Sequence, residues 1–191
     1  YSQIRATVVA GIRELFERTG YLLAGPDETT LTQDHMRARL ALAHEDATFA
    51  TVLNRRGWGV RTDLLRPLAV FDSPEFALER FSTTYFVAAE PTGQSHSVLE
   101  DSQSWLAWVD VNELVEKQHT SWLGDLVQKP LTVGQPMAAI SHPAIILLCE
   151  QLAAASGAAA FLLGVSPRTR IKRFISTLSD DDRHLIIKGA P

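Results

Sequence analysis

A change of hydrophobic period at Gly57 constrains this chain more than any other feature of its sequence. Ahead of it, residues 30 to 57 (TLTQDHMRARLALAHEDATFATVLNRRG) contain no proline, and no glycine before Gly57 itself. Met36, Leu40, Phe49, Val52 and Leu53 recur there at helical intervals, which predicts one or two helices. Behind it, VRTDLLRPLAVFDSP, FSTTYFVAAEP and SWLAWVDV are β-branched and aromatic runs separated by Pro74, Pro91 and Gly93. That texture predicts three strands of an antiparallel or mixed sheet. Helices ahead of strands place the chain in the α+β class.

The flanks extend the same alternation. From Ser2 to Thr19, Ile4, Val8, Ile12, Leu15 and Phe16 share a helical face with Gly11, and Arg5, Arg13, Glu14, Glu17 and Arg18 take the polar remainder. Gly20 is placed as a helix stop, and Tyr21 to Ala24 form an apolar run closed by the turn Gly25-Pro26-Asp27, as a buried strand would be. After the sheet, VNELVEKQ, SWLGDLVQ and the run AIILLCEQLAAASGAAAFLLG behind Pro143 read as helices, the proline suiting a first helical turn. Two short strands, RIKRFIST and HLIIKG, flank the acidic turn Ser179 to Asp182. With 191 residues and no internal repeat or low-complexity linker, the expectation is one domain over residues 1–191.

Composition narrows the function classes. A net charge of -4 offers no general attraction to phosphate backbones or anionic lipid, so neither nucleic acid nor membrane is an expected partner. The single cysteine, Cys149, lies in an apolar run and permits no disulfide framework, which suits a reducing, cytoplasmic setting. No apolar run reaches eighteen residues. A homodimer is the default assembly for a chain of this size.

The stretch RELFERTG, Arg13 to Gly20, carries the chemistry. Positions 14, 17 and 18 share one helix face, so Glu14 and Glu17 present neighbouring carboxylates and Arg18 stands where a third acid would complete the patch. Magnesium takes near-octahedral oxygen ligands and is held by one or two carboxylates together with water and substrate phosphates. Arg18 also has an ordinary explanation, because Glu14 and Arg18 are an i, i+4 pair of the favourable orientation.

Arg13, Glu14, Leu15, Glu17, Gly20 and Tyr21 fall in register with the second half of the Nudix hydrolase signature, Gly-x5-Glu-x7-Arg-Glu-U-x-Glu-Glu-x-Gly-U with U apolar. The chain therefore resembles that superfamily. The helical stretch after the motif, RTDLLRPLAVFDSPEFALERFSTTYFVAAEPTGQ and the helix headed by HPAIILL are similar to the branch with peroxisomal coenzyme A diphosphatases.

The resemblance implies a mixed sheet between helices, with inserted helices and with first strands that would precede Tyr1. It also implies a magnesium or manganese ion at Glu14 and Glu17, with Arg13 orienting the site. A metal-activated water would then hydrolyse a small-molecule nucleoside diphosphate linked compound, coenzyme A and its relatives among them. Several positions depart from the pattern. Arg18 replaces a metal-ligand glutamate, Arg5 replaces the earlier glutamate, and Ser82 and Thr84 stand where the branch carries Asp and Arg. Those departures raise the alternative of a Nudix-fold protein that binds a ligand or partner without catalysis.

A later acid could supply what Arg18 removes, and Glu100, or its neighbour Asp101, is the candidate, with Ser102 as the residue that otherwise takes the place. Arg66 and Arg80 are candidate phosphate or carboxylate partners, with a surface role the favoured reading for each. The histidines His35, His44, His96, His119, His142 and His184 lack any metal-ligand spacing, and Asp180 to Asp182 read as a solvated turn. Trp105, Trp108 and Trp122 are expected as core or interface anchors.

Overall fold

The computed structural model of the chain describes residues 2–26, 32–99, 105–155, 172–179 and 185–189. They fall into two compact units, one of Tyr1–Leu106 with Arg170–Pro191 and one of Ala107–Thr169.

In the first unit, α1 (Ser2–Thr19) sets Ile12 and Phe16, one turn apart, into the core, with Val8 and Leu15 packed beside them. Gly11 lets the helix approach the sheet, since a Cβ there would lie 3.1 Å from the Phe86 ring. The face is shorter than its sequence period predicts, for Ile4 is 71% exposed. The same core takes Leu22 to Ala24, Leu42 of α2 (Gln33–Ala43), and Phe49, Val52 and Leu53 of α3 (Phe49–Asn54).

Helix α2 corrects the expected pattern, because it buries His35, Arg39 and Leu42 and leaves Met36 and Leu40 about 40% exposed. Arg39 donates inward to Glu17 and Ser97, whereas His35 accepts from the Thr32 amide at the cap of its own helix and stacks on Trp58, ring centres 5.3 Å apart. The satisfied Arg39 guanidinium has thus helped set the rotation of the helix against its apolar residues, and His35 follows it inward with its Nε2 lacking a hydrogen-bond partner among the described residues.

The sheet is mixed, in the order β2-β1-β3-β4. Strand β1 (Leu65–Asp72) pairs antiparallel with β2 (Ser82–Ala88) and parallel with β3 (Lys172–Leu178), and β3 pairs antiparallel with β4 (Leu185–Gly189). Pro67 has no N–H to give to a ladder, and the strand accommodates it at a bulge between Pro67 and Ala69, before pairing with β3 begins at Ala69. Asp72 and Arg173 clamp β1 to β3 through two hydrogen bonds of 2.5 and 2.8 Å.

Two strand expectations are corrected. Residues 105–110 form no strand, and Trp108 is 66% exposed and so no core residue. Asp110 ends that stretch by capping α4 (Val111–Glu116), accepting 2.7 Å from the Asn112 amide. Tyr21 to Ala24 are buried and extended as predicted, yet form only the isolated bridge Ala24 to Val60.

The second unit contains α4, α5 (Trp122–Val127), α6 (Met137–Ile140) and α7 (Pro143–Ala153), packed on Met137, Ala144 and Leu148. Pro143 occupies the first turn of α7 as expected, and the His142 ring accepts from the Ala144 amide. Trp122 lies under the Lys117 ammonium, 4.9 Å from ring centre to Nζ.

Candidate functional site

Helix α1 brings Arg13, Glu14 and Glu17 together, as the spacing requires. Arg13 sits between the carboxylates, 3.0 Å from Glu14 Oε1 and 3.4 Å from Glu17 Oε1. Arg18 reaches the other oxygen of Glu14 at 3.7 Å, the i, i+4 pair expected from the sequence. Exposure separates the two acids, because the Glu14 side chain is 49% exposed and that of Glu17 only 18%. Arg5 is exposed on the same helix.

The chain leaving α1 fixes the floor of the site. The last carbonyls of the helix lack helical partners, and the helix dipole leaves them partly negative. Gly20 donates to the Phe16 carbonyl at 2.9 Å with a positive φ of 85°, ending the helix in the left-handed manner. Arg39, fully buried, donates from Nε to the Glu17 carbonyl at 3.0 Å and from its two terminal nitrogens to the Ser97 hydroxyl and carbonyl at 2.9 and 3.0 Å. Burial pulls its guanidinium below the ordinary range, and this ring of oxygens answers the cost. Ser97 in turn donates its amide to the Thr19 carbonyl at 2.9 Å.

Sequence reasoning missed a second cluster. The Tyr21 hydroxyl donates to the Glu90 carboxylate, and with its proton so used it meets His96 Nδ1, 3.3 Å away, as acceptor. A hydroxyl on a buried tyrosine requires such partners, and the tyrosine at an apolar motif position was the signal available. Nearby, the Gln94 side chain accepts from the Leu22 amide at 2.8 Å and donates to the Leu22 carbonyl at 3.0 Å. Leu22, Arg61, Glu90, Thr92 and Gln94 line a cleft of about 420 Å³. Carboxylate, phenol and imidazole in series beside a cleft can hold or relay a proton.

The remaining candidates stand apart from these groups or outside the described part of the chain. Glu100, Asp101, Ser102, Asp180 to Asp182 and His184 lie outside the described residues. Arg66 donates to the Asp63 carbonyl at 2.8 Å. Arg80 is exposed, and its charge helps lower the Asp72 carboxyl, behind the hydrogen bonds from Arg173 and Ser82. Ser82 and Thr84 stand on β2 opposite Asp72 and Val70. Among the described residues no three of His, Cys, Asp and Glu converge as a metal cluster, and no helix is long and apolar enough to cross a membrane.

Fold and site together define an α+β protein with a paired-carboxylate helix beside a mixed sheet. Comparison with family models, curated proteins and solved structures gives no match to the chain.

Proposed function

We propose that the chain is a Nudix-type hydrolase of a nucleoside diphosphate linked compound, with Glu14 and Glu17 as the ligands of magnesium or manganese. The observation that carries the reading is the junction after RELFER. The helix ends at a positive-φ Gly20, and the signature's apolar position continues into the buried run from Tyr21 to Ala24, with both carboxylates one turn apart behind it.

The residues fit such a cation. Two carboxylates suffice where water and substrate phosphates complete the shell. Arg18 is an obstacle of limited strength, since its side chain is 74% exposed and surface ion pairs of this kind are worth roughly 0–1 kcal/mol. The ion supplies Lewis-acid charge and an acidified water when bound. Arg13 holds the two carboxylates in one orientation, and with a cation on them its guanidinium would be available to a phosphate oxygen. Arg39 fixes the end of the helix that carries them.

Arg18 also favours a second reading, in which the site binds a diphosphate ligand without turning it over. One assay separates the two: magnesium-dependent hydrolysis of coenzyme A, ADP-ribose, NADH and nucleoside triphosphates by the wild type and by Arg18→Glu. Turnover that rises in Arg18→Glu and vanishes in Glu17→Gln is the expected result. Hydrolysis of none of them by either protein would leave the binding reading in its place.

A further inference from the structure

The groove between α2 and α3 presents a charge pattern opposite to that of the chain. It is half-open to solvent and offers about 560 Å³, a volume suited to a small molecule. Arg37, Arg55 and Arg56 stand on its walls with a single acid, Asp34, a surplus of two positive charges in a chain whose net charge is -4. Its floor is apolar and shallow, formed by Ala38, Ala41, Ala47 and Val52.

The three arginines are held differently. Arg37 is tied to Asp34 at 3.2 Å. Arg56 is pre-positioned, donating to the Val52 carbonyl at 3.2 Å and lying over the Trp58 ring at 5.8 Å. Arg55 has no carboxylate partner among the described residues, so an incoming anion displaces nothing from it.

We propose that this groove binds a small molecule carrying a phosphate monoester on an apolar or flat body. A phosphate monoester brings about two negative charges and three acceptor oxygens at neutral pH, which matches the surplus and the forked donors of Arg55 and Arg56. The alanine floor admits the body of the ligand closely and gives it apolar contact. The groove is independent of the metal reading, because none of its residues belongs to the Glu14 and Glu17 pair.

The test is calorimetric titration of the full chain with inorganic phosphate, adenosine 5′-monophosphate and adenosine, at low salt and without divalent cations. Saturable binding of phosphate and the monophosphate is expected, weakened by added salt, with none for adenosine. Arg55→Glu should weaken the monophosphate by about tenfold or more, as loss of a charged hydrogen bond does, and Arg55→Gln by less. A Glu14→Gln, Glu17→Gln double variant should bind as the wild type does, which distinguishes this groove from the metal site. The proposal is overturned by absent saturable binding, by equal affinity in Arg55→Glu with an unchanged melting temperature, or by loss in the double variant. Affinity that grows with the length of a single-stranded oligonucleotide would equally overturn it, marking a nucleic-acid surface instead.

Discussion

Gly20 and Arg39 are mutually dependent at the level of single residues. A Cβ on Gly20 would lie 3.0 Å from the Ser97 hydroxyl and 3.1 Å from an Arg39 nitrogen, and the backbone there is left-handed. Gly20→Ala should therefore cost at least about 1–2 kcal/mol, the conformational penalty alone, read as a lower urea midpoint with an unchanged slope. Arg39→Leu should cost about 3 kcal/mol, since it strips donors from buried carbonyls; a loss below that of Gly20→Ala would show the guanidinium to be dispensable. Gly20 was legible in the sequence as a helix stop, because a positive φ after an amphipathic run has a residue signature. Arg39 was not, since its partners lie 22 and 58 residues away and nothing local marks an arginine as buried.

Elements were legible where a cap or a period-two run acts alone. Helices α1, α4, α5 and α7 and strands β1 to β4 fall where RELFERTG, VNELVEKQ, SWLGDLVQ, Pro143 and the runs read as strands put them, although Asp110, read as part of a strand, proves to be the cap of α4. The rotation of α2 was not, because Arg39 goes inward on tertiary hydrogen bonds and His35 on a ring stack with Trp58, neither of which hydropathy encodes. The expected strand at Trp105 failed for a related reason: aromatic content suits a strand only when a neighbouring strand accepts it. Within α5, Gly124 is set by close approach, as a Cβ would fall 2.0 Å from the Thr132 carbonyl oxygen. Gly124→Ala should displace the turn Lys129 to Gln135 and cost about 1–3 kcal/mol. Faster amide exchange at Gln135, whose amide bonds to the Thr132 carbonyl at 3.0 Å, would report it, whereas unchanged exchange would show that the turn absorbs the methyl group.

Across the whole molecule, acid should act in two windows. Burial first, and the Arg56 charge second, hold the His35 imidazole below its ordinary value near 6.5, and its Nδ1 accepts from the Thr32 amide at 2.8 Å. The unfolded chain thus binds that proton more readily, so the stability His35 provides is complete above pH 6.5 and is lost as pH falls through the lower folded value. Hydrogen bonding from Arg173 holds the Asp72 carboxyl below 3.8, and its share is lost only below that pH. Urea midpoints measured from pH 8 to 3 should show both steps, with His35→Gln removing the upper one; a single step in both proteins would refute the assignment.

The side-chain amide of Gln94 has a temporal consequence as well. It completes the backbone of Leu22 from 72 residues along the chain, as a neighbouring strand would have done locally. A chain emerging from the ribosome therefore exposes the segment after its candidate metal helix until Gln94 and Ser97 have been made, and loop closure over that span slows the step. The helix that carries the carboxylates is synthesised well before the residues that secure its end.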